Sequence, residues 1–440
     1  MKEKKNTRKQ PPRFKKNPRR NEMVIRALLI AASAFAVMML AWLLINESKT
    51  DLEKDGFDDR GVPVMNLELN GVSLIDIQIN SKEEKYRGNN LYLYNNGEKT
   101  KYGGVEIKGR GNTTWFQEKR PYRIELSGSK DLLGSGKAKR WVLLANYFDH
   151  SFLRTDVAFR MAEMLDMSDK RGDFVELYFD GEYEGLYYLM KKIEVSKSSI
   201  NLKNANGVLF EIDTLHNYEV ECNVSYIGDC LVLKDIVLDE ENNKGEAIKS
   251  FLDSFNRFEM AVEKGDYNTI AETVDIDSFI NYFLINEFTV NPDAYNSSFY
   301  LYRDGENDKI HFGPLWDFDY SLGNKEWFWR EDDDYLLPDR DYANTNVVFR
   351  IVKELVMMDE IKEKVSSVFQ EKLAGRKVEL VNYIETKAKE LEKAARADNL
   401  RWNNDDYFDD VNELIEWVER RYDYFEQKYG NPNQQMVNIL

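Results

Sequence analysis

The chain has few of the residues from which common metal and redox sites are built. Its three histidines, His150, His216 and His311, lie far apart in 440 residues and in no zinc-ligand spacing, which argues against a His-based metal hydrolase. Only two cysteines occur, Cys222 and Cys230; a hairpin disulfide and two free thiols both remain open, because sequence does not give the geometry. There is no GxSxG elbow, so a serine hydrolase of that kind is disfavoured. The stretch GSGKAKR at 134–140 fails as a phosphate loop: Asp131 stands where the leading glycine belongs, and Ala138 where a hydroxyl must follow Lys137. No repeat period is evident.

Positive charge is also scarce outside the N-terminus. Net charge is −17, and setting aside the basic tail (+8) and Arg26 leaves about −26 on the rest. That balance excludes general nucleic-acid affinity and favours a basic polymer or peptide as partner.

What is present begins with residues 1–22, where ten Lys/Arg face only Glu3 and Glu22, among Pro11, Pro12 and Pro18. This is a solvated basic tail. Residues 27–45 carry no charge for 19 positions, near the roughly 20 that span a bilayer core as helix. One transmembrane helix is therefore expected within residues 23–45. With basic residues before it and acidic ones after, the positive-inside rule puts the tail in the cytoplasm and the large domain outside the cell membrane. The run is too long for a typical signal-peptide core, so the anchor is expected to stay uncleaved. Residues 46–62 read as a polar linker, 63–430 as the ordered domain, and 431–440 as a tail.

Within that domain, alternating apolar and polar residues in LELNGVSLIDIQIN, YGGVEIKGRG, YRIELSG, RWVLLAN, FVELYFDGEYEGLYYLM, GVLFEID and CLVLKD predict strands joined by Gly and Asn turns. Residues 152–165 interrupt them with helical spacing. From 245 onward the pattern turns helical, over 246–262, 276–290, 347–357, 361–392 and 412–429. A strand pair turned at Asp304 and Gly305 lies among these helices. The expected fold class is α+β, with a sheet-rich N-terminal lobe over about 63–240 and a helical C-terminal lobe over about 245–430.

Three segments carry chemistry. In IKGRGNTTWFQEKRPYRIEL, residues 107–126, Gly109 and Gly111 end one strand and a second follows; such a hairpin can bring backbone N–H groups and a cation to phosphate. An ordinary charged surface hairpin looks the same. In INEFTVNPDAYNSSFYLY, residues 285–302, Pro292 stops a helix and leaves Asp293 and Asn296 on the following loop, where they can serve as base and metal ligand or as plain turn residues. In FGPLWDFDYSLGN, residues 312–324, Asp317 and Asp319 share strand parity. Two hard oxygen donors suit Mg²⁺ on a polyphosphate, and carboxylates wedged among Trp316, Phe318 and Tyr320 need partners; a solvated loop with its aromatics tucked into the core is the other reading.

Taken with WVLLANYFDHSFLRTDVAFRMAEML and ELYFDGEYEGLYYL, these segments stand in an order that resembles the CotH kinase family, named for a spore-coat kinase. The resemblance runs from about residue 63 to 325, and the helical remainder fits the family's C-terminal part. It implies an atypical protein-kinase-like, two-lobe fold that binds ATP and Mg²⁺ and phosphorylates Ser/Thr of a surface or envelope protein. On that resemblance Asp293 takes the catalytic position, while Asp317, Asp319 and Asn296 hold metal. Arg123 is the leading candidate for the cation on phosphate, followed by Arg110, Lys119 and Arg154. The chain departs from the family at Lys191, where a Glu is common, so no ion-pair role is carried to that position. The alternative expectation is a non-catalytic adhesin or envelope-assembly scaffold on the same fold.

Overall fold

Strand alternation in the first half closes into a barrel. The computed structural model describes residues 35, 38, 39, 50–167, 172–213, 221–238, 244–295, 297–324, 347–404 and 406–430. Seven strands, β1 (Val64–Glu68), β2 (Tyr86–Asn95), β3 (Glu98–Gly109), β4 (Tyr122–Lys130), β5 (Ala138–Leu144), β6 (Asp173–Phe179) and β7 (Glu182–Lys191), run in the order β1-β2-β3-β4-β5-β7-β6. β1 pairs antiparallel with β2 on one side and parallel with β6 on the other, which removes the sheet's edges. In β4, Tyr122, Ile124 and Leu126 point into the barrel and alternate with half-buried Arg123 and Glu125. Met65, Leu67, Leu91, Ile107, Val175 and Leu177 fill the interior with them.

The expected fold requires correction here. The sheet-rich lobe is a closed seven-stranded barrel, and the later strands do not belong to it. β8 (Val208–Ile212), β9 (Asn223–Val224), β10 (Cys230–Ile236), β11 (Phe299–Arg303) and β12 (His311–Phe312) form a second sheet in the order β12-β11-β8-β10-β9. β8 thus pairs with β10 on one edge and with β11 of the β11–β12 hairpin on the other, and as a central strand it is buried along its whole length. Contacts divide the chain into Met1–Asp58 and Asp59–Leu440, so barrel, second sheet and helices share one compact unit.

The membrane anchor is corrected as well. Among the described residues no helix is long and apolar enough to cross a membrane. Nearly all of residues 23–45 lies outside the described residues. The transmembrane helix and the single-pass localisation drawn from it are therefore not carried further. In the first unit the described helix is one turn, α1 (Asp51–Lys54), closed by a Thr50/Glu53 capping box.

The segment SLIDIQIN, expected as strand, folds as α2 (Leu74–Ile79). A Ser73/Asp76 capping box satisfies its first N–H groups and overrides the alternation. The remaining helices are α3 (Arg154–Met164), α4 (Lys244–Lys264), α5 (Tyr267–Thr273), α6 (Ile276–Thr289), α7 (Val347–Met357), α8 (Asp359–Lys372), α9 (Lys377–Trp402) and α10 (Tyr407–Tyr429). The run at 361–392 divides between α8 and α9, with Gly375 in the left-handed region between them. Cys222 and Cys230 are disulfide-bonded beside the β9–β10 pair.

α9 docks on the barrel through charge. Asp398 accepts hydrogen bonds from Lys119 Nζ at 2.5 Å and from the Leu186 backbone N–H at 2.6 Å, and all of it is buried. Gly185 makes the approach possible: a Cβ there would sit 2.4 Å from the Asp398 carboxylate.

Candidate active site

The site is assembled where α6 ends and β11 begins. Val290 caps α6 in a left-handed conformation and Pro292 follows, so the helix stops and a tight loop carries Asp293. Buried Asn291 accepts from the Asp293 N–H at 3.1 Å, and Asn286 in the last turns of α6 accepts from the Asn291 amide at 3.3 Å. The loop's position is therefore written into the helix end.

Sheet register then brings two distant segments to this loop. Phe299 of β11 lies opposite Ile212 of β8, and Tyr300 opposite Glu211. Asp213, just beyond β8, consequently arrives beside Ser298 and Asp293. The segment after β12 returns across the same end: Ser298 Oγ donates to Asp317 Oδ2 at 3.2 Å. Leu322 N–H donates to Thr289 O at 2.7 Å, and the Asn324 amide donates to Asp319 O at 2.5 Å and Phe148 O at 2.7 Å. Gly323 is pressed on α10 so closely that a Cβ would lie 2.2 Å from the Trp417 ring.

The backbone here is held in costly conformations. Five of the twelve described non-glycine residues with positive φ, Val290, Tyr295, Ser298, Asp317 and Leu322, are in these loops, and Asn146 and Phe152 lie in the β5–α3 loop whose Phe148 carbonyl meets Asn324. A β-branched residue such as Val290 rarely adopts that region, and such strain persists only where surrounding packing over-determines it.

Asp293, Asp317 and Asp319 are each half-buried and close enough to disturb one another. Burial, then the charges of Asp317 and Asp213, push the Asp293 carboxyl up to about 7. Asp319 is pushed well above the carboxylate range by burial and by Asp317, Asp293 and Asp149. Burial also raises Asp317, while Arg110 and the Ser298 hydroxyl act in the opposite direction. Arg110 feels Asp317 most, then Tyr300, Asp319 and Glu211, and its guanidinium lies 5.1 Å from the Trp316 ring. Several acids thus face one guanidinium, an arrangement short of positive charge.

The sequence-derived residues separate accordingly. Asp293, Asp317, Asp319 and Arg110 come together. Arg123 lies on β4 with Glu106 at 3.6 Å. Lys119 is the buried partner of Asp398, and Arg154 is buried against Asp149 at 2.5 Å. Asn296 lies outside the described residues. Lys191 donates to Ser135 O and Ser198 O. Reading the sequence missed Glu211, Asp213, Ser298 and Tyr300. A glutamate inside the apolar strand VLFEI was the available signal, since such a carboxylate needs a partner; it pairs with Lys234 and with the Tyr300 phenol.

For Mg²⁺ the donor chemistry fits. Among the described residues no group of three or more His, Cys, Asp or Glu is arranged to hold a metal ion alone. Mg²⁺ is ordinarily held by one or two carboxylates plus phosphate oxygens and water, and Asp317 with Asp319 would supply that protein share.

Residues 107–425 match the family model described as CotH kinase protein. The chain is 23% identical over 223 residues to the inner spore coat protein H of Bacillus subtilis (strain 168), a match covering 50% of this chain and 59% of that protein, so it spans about three fifths of the relative's length. The matched region takes in the Arg110 loop, the Asp293 loop, the Asp317–Asp319 segment and most of α10, and the chain belongs to the CotH kinase protein family.

Proposed function

We propose that this protein transfers the γ-phosphate of ATP to a Ser or Thr hydroxyl of a protein acceptor. The observation that carries the reading is the convergence of Asp293 with the Asp317–Asp319 pair around Arg110, from segments separated in sequence. Asp317 and Asp319 would hold Mg²⁺, which supplies neutralisation of β- and γ-phosphate charge when bound. Asp293 orients the acceptor hydroxyl and takes its proton on a carboxylate oxygen. With its carboxyl raised to about 7, Asp293 is ionised only in part near neutral pH, and a cation on the neighbouring Asp317 would favour the carboxylate form that accepts the proton. Arg110, of the four candidate cations, is the one beside the acids, and its planar fork suits phosphate oxygens. Trp316 and the Glu211–Tyr300 pair surround it and orient it. The acidic character of the chain favours an acceptor segment rich in Lys and Arg.

The test is calorimetric titration of the whole protein with ATP and Mg²⁺, alongside transfer of labelled phosphate to a basic Ser/Thr peptide. Nucleotide binding that depends on Asp317, with transfer that depends on Asp293, is the expected result. Absence of nucleotide binding would move the protein to the scaffold reading on the same fold.

A further inference from the structure

We infer that Ser298 is a positioning residue of the metal site, setting the rotation of the Asp317 carboxylate. This rests on the proposed phosphoryl-transfer reading, in which Asp317 is a metal ligand. The observation is one bond and its setting. Ser298 Oγ donates to Asp317 Oδ2 at 3.2 Å, across 19 residues of sequence. Both residues have left-handed backbones, φ +54° at Ser298 and +65° at Asp317. Neither is glycine, so each site retains a side chain where the conformation alone would favour losing it.

The geometry around the bond is fixed from both sides. Ser298 immediately precedes β11, whose register with β8 is set by five residue pairs. Ser297 N–H donates to Asp293 O at 3.0 Å, so the residue beside Ser298 is tied to the Asp293 loop. On the other side, Asp317 follows Leu315 and Trp316 in the core and precedes the Leu322–Thr289 and Asn324–Phe148 ties. What these contacts leave undetermined is rotation of the carboxylate plane about Cβ–Cγ. The Ser298 hydroxyl restricts that freedom by a directional bond, beside the less directional pull of the Arg110 charge. A ligating carboxylate is ordinarily oriented by such an outer partner, and losing it typically weakens metal binding 10- to 100-fold.

The experiment uses the full chain and Mn²⁺ in the presence of ADP, read by the electron paramagnetic resonance signal of free Mn²⁺, so that no catalytic turnover is needed. Ser298→Ala is expected to weaken Mn²⁺ binding about 10- to 100-fold. Ser298→Asn is expected to restore it to within about threefold, because Asn tolerates the left-handed backbone and its amide can donate to Asp317. Ser298→Gly relieves the backbone without supplying a donor and should behave like the alanine variant. Thermal melts of all three confirm folding, and if the alanine variant does not fold, the asparagine and glycine pair decides. Wild-type affinity in Ser298→Ala, or recovery in Ser298→Gly, overturns the assignment. Equal Mn²⁺ binding by the wild type and Asp317→Asn overturns the metal reading beneath it and the assignment with it, a pattern distinct from failure at Ser298 alone.

Discussion

Two places in this fold bury charge, and they do so in opposite ways. At the junction of barrel and α9, Lys119 and Asp398 meet at 2.5 Å, with the Leu186 N–H and O completing the set. At the candidate site, Asp293, Asp317 and Asp319 crowd one guanidinium; burial raises all three carboxyls, and the charge of Asp317 adds to the rise at Asp293 and Asp319. The first arrangement sets one cation against one carboxylate through Asp398 Oδ2, while Asp398 Oδ1 is buried with no hydrogen-bond partner among the described residues. The second is short of a cation and is maintained by strained loops, the pattern expected where stability is traded for ligand chemistry.

Substitutions sharpen the contrast. The largest effect is expected at the site: Asp317→Ala should lower phosphate transfer on the order of 10³-fold, about 4 kcal/mol of transition-state stabilisation. Its melting temperature without metal should hold or rise, because a repelling charge has gone; a steady-state assay paired with calorimetry reads both. Asp398→Ala should do the reverse, costing about 3–5 kcal/mol of folding stability by leaving Lys119 buried and alone. Urea unfolding measures it, and a loss below about 1 kcal/mol would erase the distinction between the two places.

Next come the rival cations. Arg110→Ala should weaken nucleotide binding roughly 10-fold or more, as expected for a lost charge-assisted bond, whereas Arg123→Ala, already beside Glu106 on the barrel wall, should change it by less than about threefold. Parallel titrations of the two variants decide between them; equal losses would return Arg123 to the site.

The smallest expected effect concerns a third buried acid, Glu259 on α4, which accepts from the Ile227 N–H at 3.3 Å and whose Oε1 meets no hydrogen-bond partner among the described residues. Burial pushes its carboxyl up to about 7. Because the folded value lies above the unfolded one, the stability it contributes is full below about pH 4.5 and is lost as pH rises through 7, on the order of 2–3 kcal/mol. Glu259→Gln should therefore gain on the wild type between pH 5 and pH 8 in thermal melts; a pH-independent difference would show the carboxyl is not the cause.

Much of this site was legible because its parts are local. Pro292 after a helical run, aspartates at matching parity in WDFD, and a Gly-bracketed hairpin each announce themselves within a dozen residues. Barrel closure was not legible, since it depends on β1 pairing with β6, which begins over a hundred residues later. The choice of cation failed for a similar reason. Alternation placed Arg123 and Arg110 on one hairpin, but only cross-strand packing shows that Glu106 stands by the first and the acids by the second. Ser298 was invisible because its partner comes from another segment, and a serine in NSS looks like any turn residue.

The contact between Gly323 and Trp417 has a further consequence for how the chain can be shortened. None of the acids lies beyond residue 319, yet the wall against which their loop rests is furnished by α10. A protein ending ahead of Tyr407 would retain every side chain of the candidate site in its sequence and lose the surface on which the loop carrying Asp317 and Asp319 rests, so the last helix belongs with that loop as a single structural unit.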